Sequence, residues 1–482
     1  MDLGVDVPSM GGVGHSVRDL ESFGGRRARR GVVVFEPESE AQLAELLATA
    51  SERGLRLAPL GAALSFDGQG LPERYAVSTA RLRTLRVVPD GRRLLAGAGV
   101  STGAALDAAL ERGLALPVMP STSRVTMGGS ASSDAYSRMT PGLGRESRHI
   151  RRVRVVTARG EVHECTRERN AALFRAAIGG FGLAGVITEV EHALESVGSH
   201  AALRSSAHAF EGLDGLEFLF PESRPPGLPP GPWPGAGCVV MQRGLRRRTL
   251  ITRHRMESTL ERRPTIAHQS GVRRVGLELL VHRMPALAAL AWQVNWVPGR
   301  VVSLVDDLAP ATFFMDGNLK ARGLRRRFGE RGEVLQQSFV LPIEGRSSAE
   351  VHRVEGFARE AMDRLSEAGQ TAGMFDVGFL PRSERFVLSP NPDRDAFLVS
   401  LAFVVRRAAD ARAIERIFRK LTRVCRETHG GTVLLSKQAR CDDADLREMY
   451  RPALEQLREL RRVHDPGDVI ETALGRRLGL GR

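Results

Sequence analysis

Three of the 70 basic residues in this 482-residue chain are lysines, Lys320, Lys420 and Lys437, and 67 are arginines. A chain that writes nearly every positive charge as arginine singles out each lysine, because an ammonium can give up its proton and a guanidinium in practice cannot. Lys437 ends the apolar run Thr432-Val433-Leu434-Leu435-Ser436, which reads as a strand. Burial there would lower its pKa and make the neutral amine a proton acceptor. In the strand-like run 335–341, alternate residues share a face, so Gln336 and Ser338 point together and Gln337 points away. Cys425 and His429 stand at helical i, i+4 spacing, but no two further ligands accompany them, so no metal site is expected. No serine lies in a GxSxG elbow, which leaves a hydrolase without support.

The elements that must position these groups begin with a βα unit. Residues 32–35 read as a strand, and Ser39 with Gln42 three residues later is a capping box opening a helix over 40–53, which Gly54 ends. Residues 55–59 read as the next strand, leading into the small-residue loop 60–68. A second strand, loop and helix follow over 94–112, with Ser101 as cap and Gly113 as stop, and then a further glycine-rich stretch over 120–134. Residues 151–165 read as two strands around Ala158-Arg159-Gly160, and 171–178 as a helix. Gly180-Phe181-Gly182-Leu183-Ala184-Gly185 fits the GxGxxG spelling, but a helix precedes it and the β-branched run 186–190 follows. A dinucleotide fingerprint needs the opposite order, so a nicotinamide site is rejected. Glycine- and serine-rich loops after strands allow several backbone N–H groups to converge on a diphosphate with no side chain in the way.

Three such stretches in this order, 59–68, 120–134 and 179–188, resemble the FAD-binding domain of the vanillyl-alcohol-oxidase family, also called the para-cresol methylhydroxylase (PCMH) type. Within it the likeness is to sugar and aldonolactone oxidases such as decaprenylphosphoryl-ribose 2′-oxidase. Ser22-Phe23-Gly24-Gly25, Asp465-Pro466-Gly467-Asp468-Val469 and Arg476-Arg477-Leu478-Gly479-Leu480 look like that subgroup's termini. The resemblance implies an FAD site built from Gly61, Ala62, Ala63, Leu64, Ser65 and Phe66, then Pro120, Ser121, Thr122, Ser123, Thr126, Gly128, Gly129, Ser132, Ser133 and Asp134, and finally Gly180, Gly182, Gly185, Val186 and Ile187. Many relatives attach FAD through a histidine where this chain has Leu64, so the flavin is expected to be non-covalent. The segment 434–440 looks like the family's stretch that carries a catalytic lysine over the flavin, which makes Lys437 the first catalytic candidate. The aspartate that usually follows is Gln438 here. Tyr136-Ser137 replaces the His-Gly pair of the decaprenylphosphoryl-ribose oxidases, and Tyr136, one of only three tyrosines, is the second candidate, since a phenol beside a flavin can donate or accept a proton. Gln336 and Ser338, with Lys437, resemble positions that bind substrate hydroxyls.

The expected fold is α+β and two-domain. Residues 1–196 would form the FAD domain, 197–420 an α+β substrate-binding cap and 421–482 a segment returning to the FAD domain, with the proline-rich loop 221–232 marking the change of character. The expected function is FAD-dependent oxidation of a hydroxyl on a sugar-like or polyol-like substrate, free or phosphorylated, with oxygen or another acceptor reoxidising the flavin. The replaced residues also permit a desaturase or oxidative cyclase, and a redox-inactive binding protein is the reading from another class. A net charge of +14 invites a nucleic-acid reading, but aromatic content is 5% and the arginines are spread along the chain, so no nucleic-acid partner is expected. Clusters at 246–248 and 325–327 could attract an anionic lipid or a phosphorylated substrate. Four scattered cysteines without a CxxC pair, no secretory leader and no bilayer-length apolar run lead to the expectation of a cytoplasmic enzyme.

Overall fold

The computed structural model describes residues 8–25, 28–118, 120–198, 201–243, 246–258, 308–310, 333–372 and 374–481. Lys320 and the arginines at 325–327 lie outside the described residues.

β-Branched and aliphatic runs build the first sheet from β1 (His15–Glu21), β2 (Ala28–Phe35), β3 (Leu57–Leu60) and β4 (Tyr75–Ser78), in the order β1-β2-β4-β3. β2, β4 and β3 run parallel, and α1 (Glu40–Glu52) makes the crossover between β2 and β3. Ser39 Oγ accepts the Gln42 N–H at the start of α1, while the Gln42 carboxamide accepts the N–H of Glu38, one residue ahead of a standard capping box. Gly54 turns the chain at φ +62°, where a Cβ would be strained.

β5 (Leu85–Val88), β6 (Arg93–Gly97), β8 (Ile150–Val156), β9 (Val162–Cys165) and β10 (Val186–Ala193) form an antiparallel sheet in the order β5-β6-β10-β8-β9. The short strands β7 (Leu114–Ala115) and β11 (Glu195–Ser196) pair beside it. Helices α2 (Thr102–Leu110), α3 (Met127–Ser133), α4 (Thr140–Leu143) and α5 (Ala171–Ala177) lie in its connections. The stretch 120–134 is therefore a loop only in its first half. Thr126 caps α3 through its Oγ1 and Asp134 ends the helix at φ +44°. Serine and glycine are poor helix interiors, and burial of Met127 and Ala131 overrides that preference.

β12 (Ala201–Glu211), β13 (Gly235–Arg243), β14 (Arg246–Ser258), β15 (Leu308–Pro310), β16 (Glu333–Ile343), β17 (Met374–Leu380), β18 (Asp395–Val405) and β19 (Thr432–Val433) form an eight-stranded antiparallel sheet, ordered β15-β12-β14-β13-β17-β18-β16-β19. Its two faces differ because its strands alternate with period two. One face carries Leu335, Phe339, Phe375, Phe379, Phe397 and Phe403 and packs under α6 (Ser348–Glu367) and α7 (Ala408–His429). Phe339 meets Phe357 of α6 at 5.3 Å between centroids and Phe418 of α7 at 6.3 Å, and each such fully buried side chain contributes roughly 1.5–3 kcal/mol. The opposite face is mixed, with Gln336, Ser338, Asp376 and Ser400 on adjacent strands beside the apolar Val340, Leu380, Ala396 and Leu398.

After β19 the chain runs through α8 (Asp443–Met449), α9 (Arg451–His464) and α10 (Ala473–Arg477). Leu57 pairs in parallel with Ile470, which adds the C-terminal segment to the edge of the first sheet. The apolar run before Lys437 is a strand for two residues only. Leu434 still donates its N–H to the Ser338 carbonyl, but the Lys437 N–H then closes a turn on the Leu434 carbonyl at 3.1 Å, so the lysine projects from a turn rather than from a strand end. All four cysteines are buried and free. Cys425 Sγ turns to the carbonyls of Val340 and Thr432 while His429 meets Arg353, so the two do not converge. No helix among the described residues is long and apolar enough to cross a membrane.

Candidate active site

The three small-residue stretches, far apart in sequence, close on one another. A Cβ on Gly61 would stand 2.6 Å from Thr126 Oγ1, and one on Gly182 would stand 3.0 Å from the ring of Pro59. The N–H groups of Gly179 and Phe181 donate to the carbonyls of Ala131 and Ser132 at the end of α3. The backbone is left-handed at Gly179, Phe181 and Gly182, which turns those donors onto the helix. Gly180 and Gly185 are small for local reasons: a Cβ there would meet the Ala176 carbonyl and the Val155 side chain, respectively. Val186 and Ile187 are buried within β10, which is paired on both sides.

The stretches do not present their donors equally. In α3 the N–H groups of Met127, Gly128 and Gly129 are taken by Val100 O, Ala98 O and Thr126 Oγ1. Ser132 and Ser133 turn their hydroxyls back onto carbonyls of the same helix, and Asp134 accepts the Ser147 N–H and faces Arg145 at 3.1 Å. The N–H groups at the start of α3 are therefore engaged within the protein. In the first stretch, the N–H groups of Ala62, Ala63, Leu64 and Ser65 donate to no acceptor among the described residues, and Ala63 sits at φ +54°. Successive amides around one left-handed residue form a concave anion cradle, which fits the diphosphate of a dinucleotide. Leu64 offers no atom for a covalent flavin bond. Pro120 is buried and Ser121 exposed, while Thr122 and Ser123 are half-buried beside the start of α2, where the Ser123 carbonyl accepts the Gly103 N–H.

Lys437 comes close to the end of the first stretch. Its Nζ is 5.4 Å from the centroid of Phe66, which directly follows the open amides, and 5.6 Å from that of Tyr136. Burial lowers its pKa from 10.5, opposed by the charge of Asp376. Tyr136 packs against the buried cluster of Val340, Leu380, Ala396, Leu398 and Leu434. Burial, then Asp376, raises its pKa, so the phenol keeps its proton and is a hydrogen-bond donor rather than a base. Alternation in β16 turns Gln337 toward α7, where its Nε2 meets Thr422 Oγ1 at 2.8 Å. Ser338 pairs with Ser400 Oγ at 2.6 Å on the other face, and Gln336 shares that face.

Several residues of this region were not singled out in the sequence. Asp376 on β17 faces Arg138 Nη1 at 3.1 Å, and burial pushes its carboxyl up while Arg138 and Lys437 pull it down. Arg138 reaches it by crossing β13 at Gly237, where a Cβ would collide with the guanidinium. The available signal was a lone acid inside Met374–Leu380, an otherwise apolar strand. Gln438 replaces an acid but has its own task. Its carboxamide accepts the Gln336 N–H at 2.7 Å and donates to Val334 O at 2.9 Å, and a carboxylate could not make the second bond. Gln69 donates to the carbonyls of Leu435 and Lys437, and Arg440 binds Asp67 at 2.7 Å with both side chains buried. These contacts tie the lysine-bearing turn to the first stretch. Gly24 completes the joint, receiving Val334 N–H and donating to Phe66 O, with no room for a Cβ against Gln438. Arg477 holds the carbonyls of Ala439 and Cys441 from α10.

Residues 32–166 match the family model described as an FAD binding domain. Decaprenylphosphoryl-beta-D-ribose oxidase of Mycolicibacterium smegmatis is 35% identical over 123 residues, 25% of this chain and 26% of that protein. L-galactono-1,4-lactone dehydrogenase of Arabidopsis thaliana is 31% identical over 34% of this chain and 27% of its own length. An uncharacterized protein in the mprA 5'region of Streptomyces coelicolor is 28% identical over 398 residues, 77% of this chain and 97% of its length. The two named oxidoreductases are thus matched over about a quarter of their lengths.

Proposed function

This chain belongs to the PCMH-type FAD-binding family, with FAD as its cofactor, and from that premise we propose that it oxidises the carbinol of a sugar-like or polyol-like small molecule, free or phosphorylated. The observation that carries the reading is the placing of Lys437 Nζ within 5.4 Å and 5.6 Å of the Phe66 and Tyr136 ring centroids, Phe66 being the residue that directly follows the open amides of residues 62–65. Residues 1–196 serve as the FAD domain, 197–420 as the cap over the substrate and 421–482 as the segment that returns Lys437 to the site.

Bound FAD supplies the hydride acceptor, and oxygen or another acceptor restores it. The protein has to remove the hydroxyl proton and hold the carbinol in place. Lys437 Nζ, whose pKa burial lowers, takes the proton. Tyr136 donates a hydrogen bond to the substrate oxygen, and Gln336 and Ser338 bind further hydroxyls from the sheet. Asp376, held by Arg138, lies on the same face and receives the positive field once Lys437 is charged. Two relatives matched by the chain are named as a ribose-derivative oxidase and a lactone dehydrogenase, which supports a hydroxylated substrate.

The test is anaerobic reduction of the yellow, FAD-loaded protein by a panel of free and phosphorylated sugars and polyols. Bleaching by a member of the panel that Lys437→Ala slows while leaving FAD bound supports the reading. A flavin that no member bleaches, or a Lys437→Ala variant reduced at the wild-type rate, removes it.

A further inference from the structure

The hairpin between β8 and β9 and the end of α9 meet at the surface, away from the FAD cradle, and three side chains converge there that no step above uses. Glu161 precedes β9, His163 lies within it and His464 is the last residue of α9. One ligating atom from each of the three lies within 4.8 Å of the other two. The imidazole rings stand edge to face with centroids 5.2 Å apart, and His163 Nε2 is 3.3 Å from Glu161 Oε2. His464 Nδ1 is closed off from solvent and has no hydrogen-bond partner among the described residues. A buried imidazole nitrogen left unpaired is costly, and it asks for an occupant.

The chemistry of the set specifies that occupant. Two imidazole nitrogens and one carboxylate oxygen are ligands for zinc and its neighbours in the transition series, whereas calcium and magnesium prefer all-oxygen shells. Bonds of roughly 2.0–2.2 Å put tetrahedral ligands about 3.4 Å apart, a closure within reach of small side-chain rotations from the present spacing. The C-terminal end of α9 adds a negative dipole. The opposing charge is Arg159, 3.5 Å from Glu161, with a side chain 54% exposed and free to swing into solvent.

We propose that Glu161, His163 and His464 bind one divalent transition-metal ion of the zinc type, which pins the end of α9 to β9 and leaves a coordination position for water. The site does not depend on the oxidoreductase reading, and its loss would leave the FAD cradle in place.

The experiment uses the full-length, FAD-loaded protein without a histidine tag, stripped with a chelator and then titrated with zinc by calorimetry and with cobalt by visible absorption. Wild type is expected to take up one equivalent that raises its melting temperature. His163→Ala and His464→Ala should each weaken binding about tenfold or more. His352→Ala, an exposed histidine on α6, should not. Absence of stoichiometric uptake by wild type, or equal uptake by the His163→Ala/His464→Ala double variant, overturns the proposal. Should the double variant fail to fold, Glu161→Gln at an exposed position gives the decision: weakened zinc binding supports the site and unchanged binding sinks it.

Discussion

Burial holds Lys437 below the ordinary lysine pKa while Asp376 pulls it back up, so the pH dependence of flavin reduction should report on both. A base acts when unprotonated, and the rate should therefore rise with pH through this lowered pKa. Asp376→Asn removes the opposing charge and should move the rise to lower pH, a shift that stopped-flow reduction across a pH series would reveal. Lys437→Ala should lose roughly 10²–10⁴-fold in the same rate, the usual worth of a positioned base, and Lys437→Arg should be no better because a guanidinium does not deprotonate. Glu146 gives a second test at this scale. Buried beneath Ser130, whose hydroxyl it accepts at 2.5 Å, it is pushed up to about 8 from 4.5. A carboxyl with a raised folded pKa contributes stability that is full below about pH 4.5 and is lost as pH rises through about 8. Glu146→Gln should flatten that decline, and melting temperatures that fall in parallel for both proteins between pH 6 and 9 would refute it.

Among the elements, α3 joins the three small-residue stretches and has a single side-chain cap. Thr126 Oγ1 accepts the Gly129 N–H and lies against Gly61 of the first stretch. Thr126→Ala should cost about 0.5–2 kcal/mol in denaturant unfolding and also weaken FAD binding, whereas Ser39→Ala at the cap of α1 should lose a similar stability with FAD affinity unchanged. The turn carrying Lys437 is held by Gln69 rather than by a long strand. Gln69→Leu should therefore slow flavin reduction more than it weakens FAD binding, and equal losses in the two measurements would count against a positioning role.

For the whole molecule, the stretch bearing the open amides is held by the other two small-residue stretches, Gly61 lying against Thr126 and Pro59 against Gly182, so FAD binding and folding should be coupled. Without a nucleophile at residue 64, acid precipitation should release all of the flavin into the supernatant, and added FAD should raise the melting temperature of the stripped protein in proportion to the logarithm of its concentration. Flavin retained in the pellet would contradict this. Periodicity and caps by themselves determined the strand over 32–35, the helix over 40–53, which the structure ends one residue earlier, and the strand that follows the glycines at 180–185, because these depend on neighbours a few residues apart. The alternation in β16 likewise separated Gln336 and Ser338 from Gln337. Only the tertiary structure decided that Val100, Ala98 and Thr126 claim the amides at the start of α3, while those of residues 62–65 have no acceptor among the described residues. It also decided that Asp376, 61 residues before Lys437, is the charge beside it, and that Gln438 closes the edge of β16. Pairings of that kind are made by sheet register and by chain segments folding back from afar, and local spacing carries no record of them.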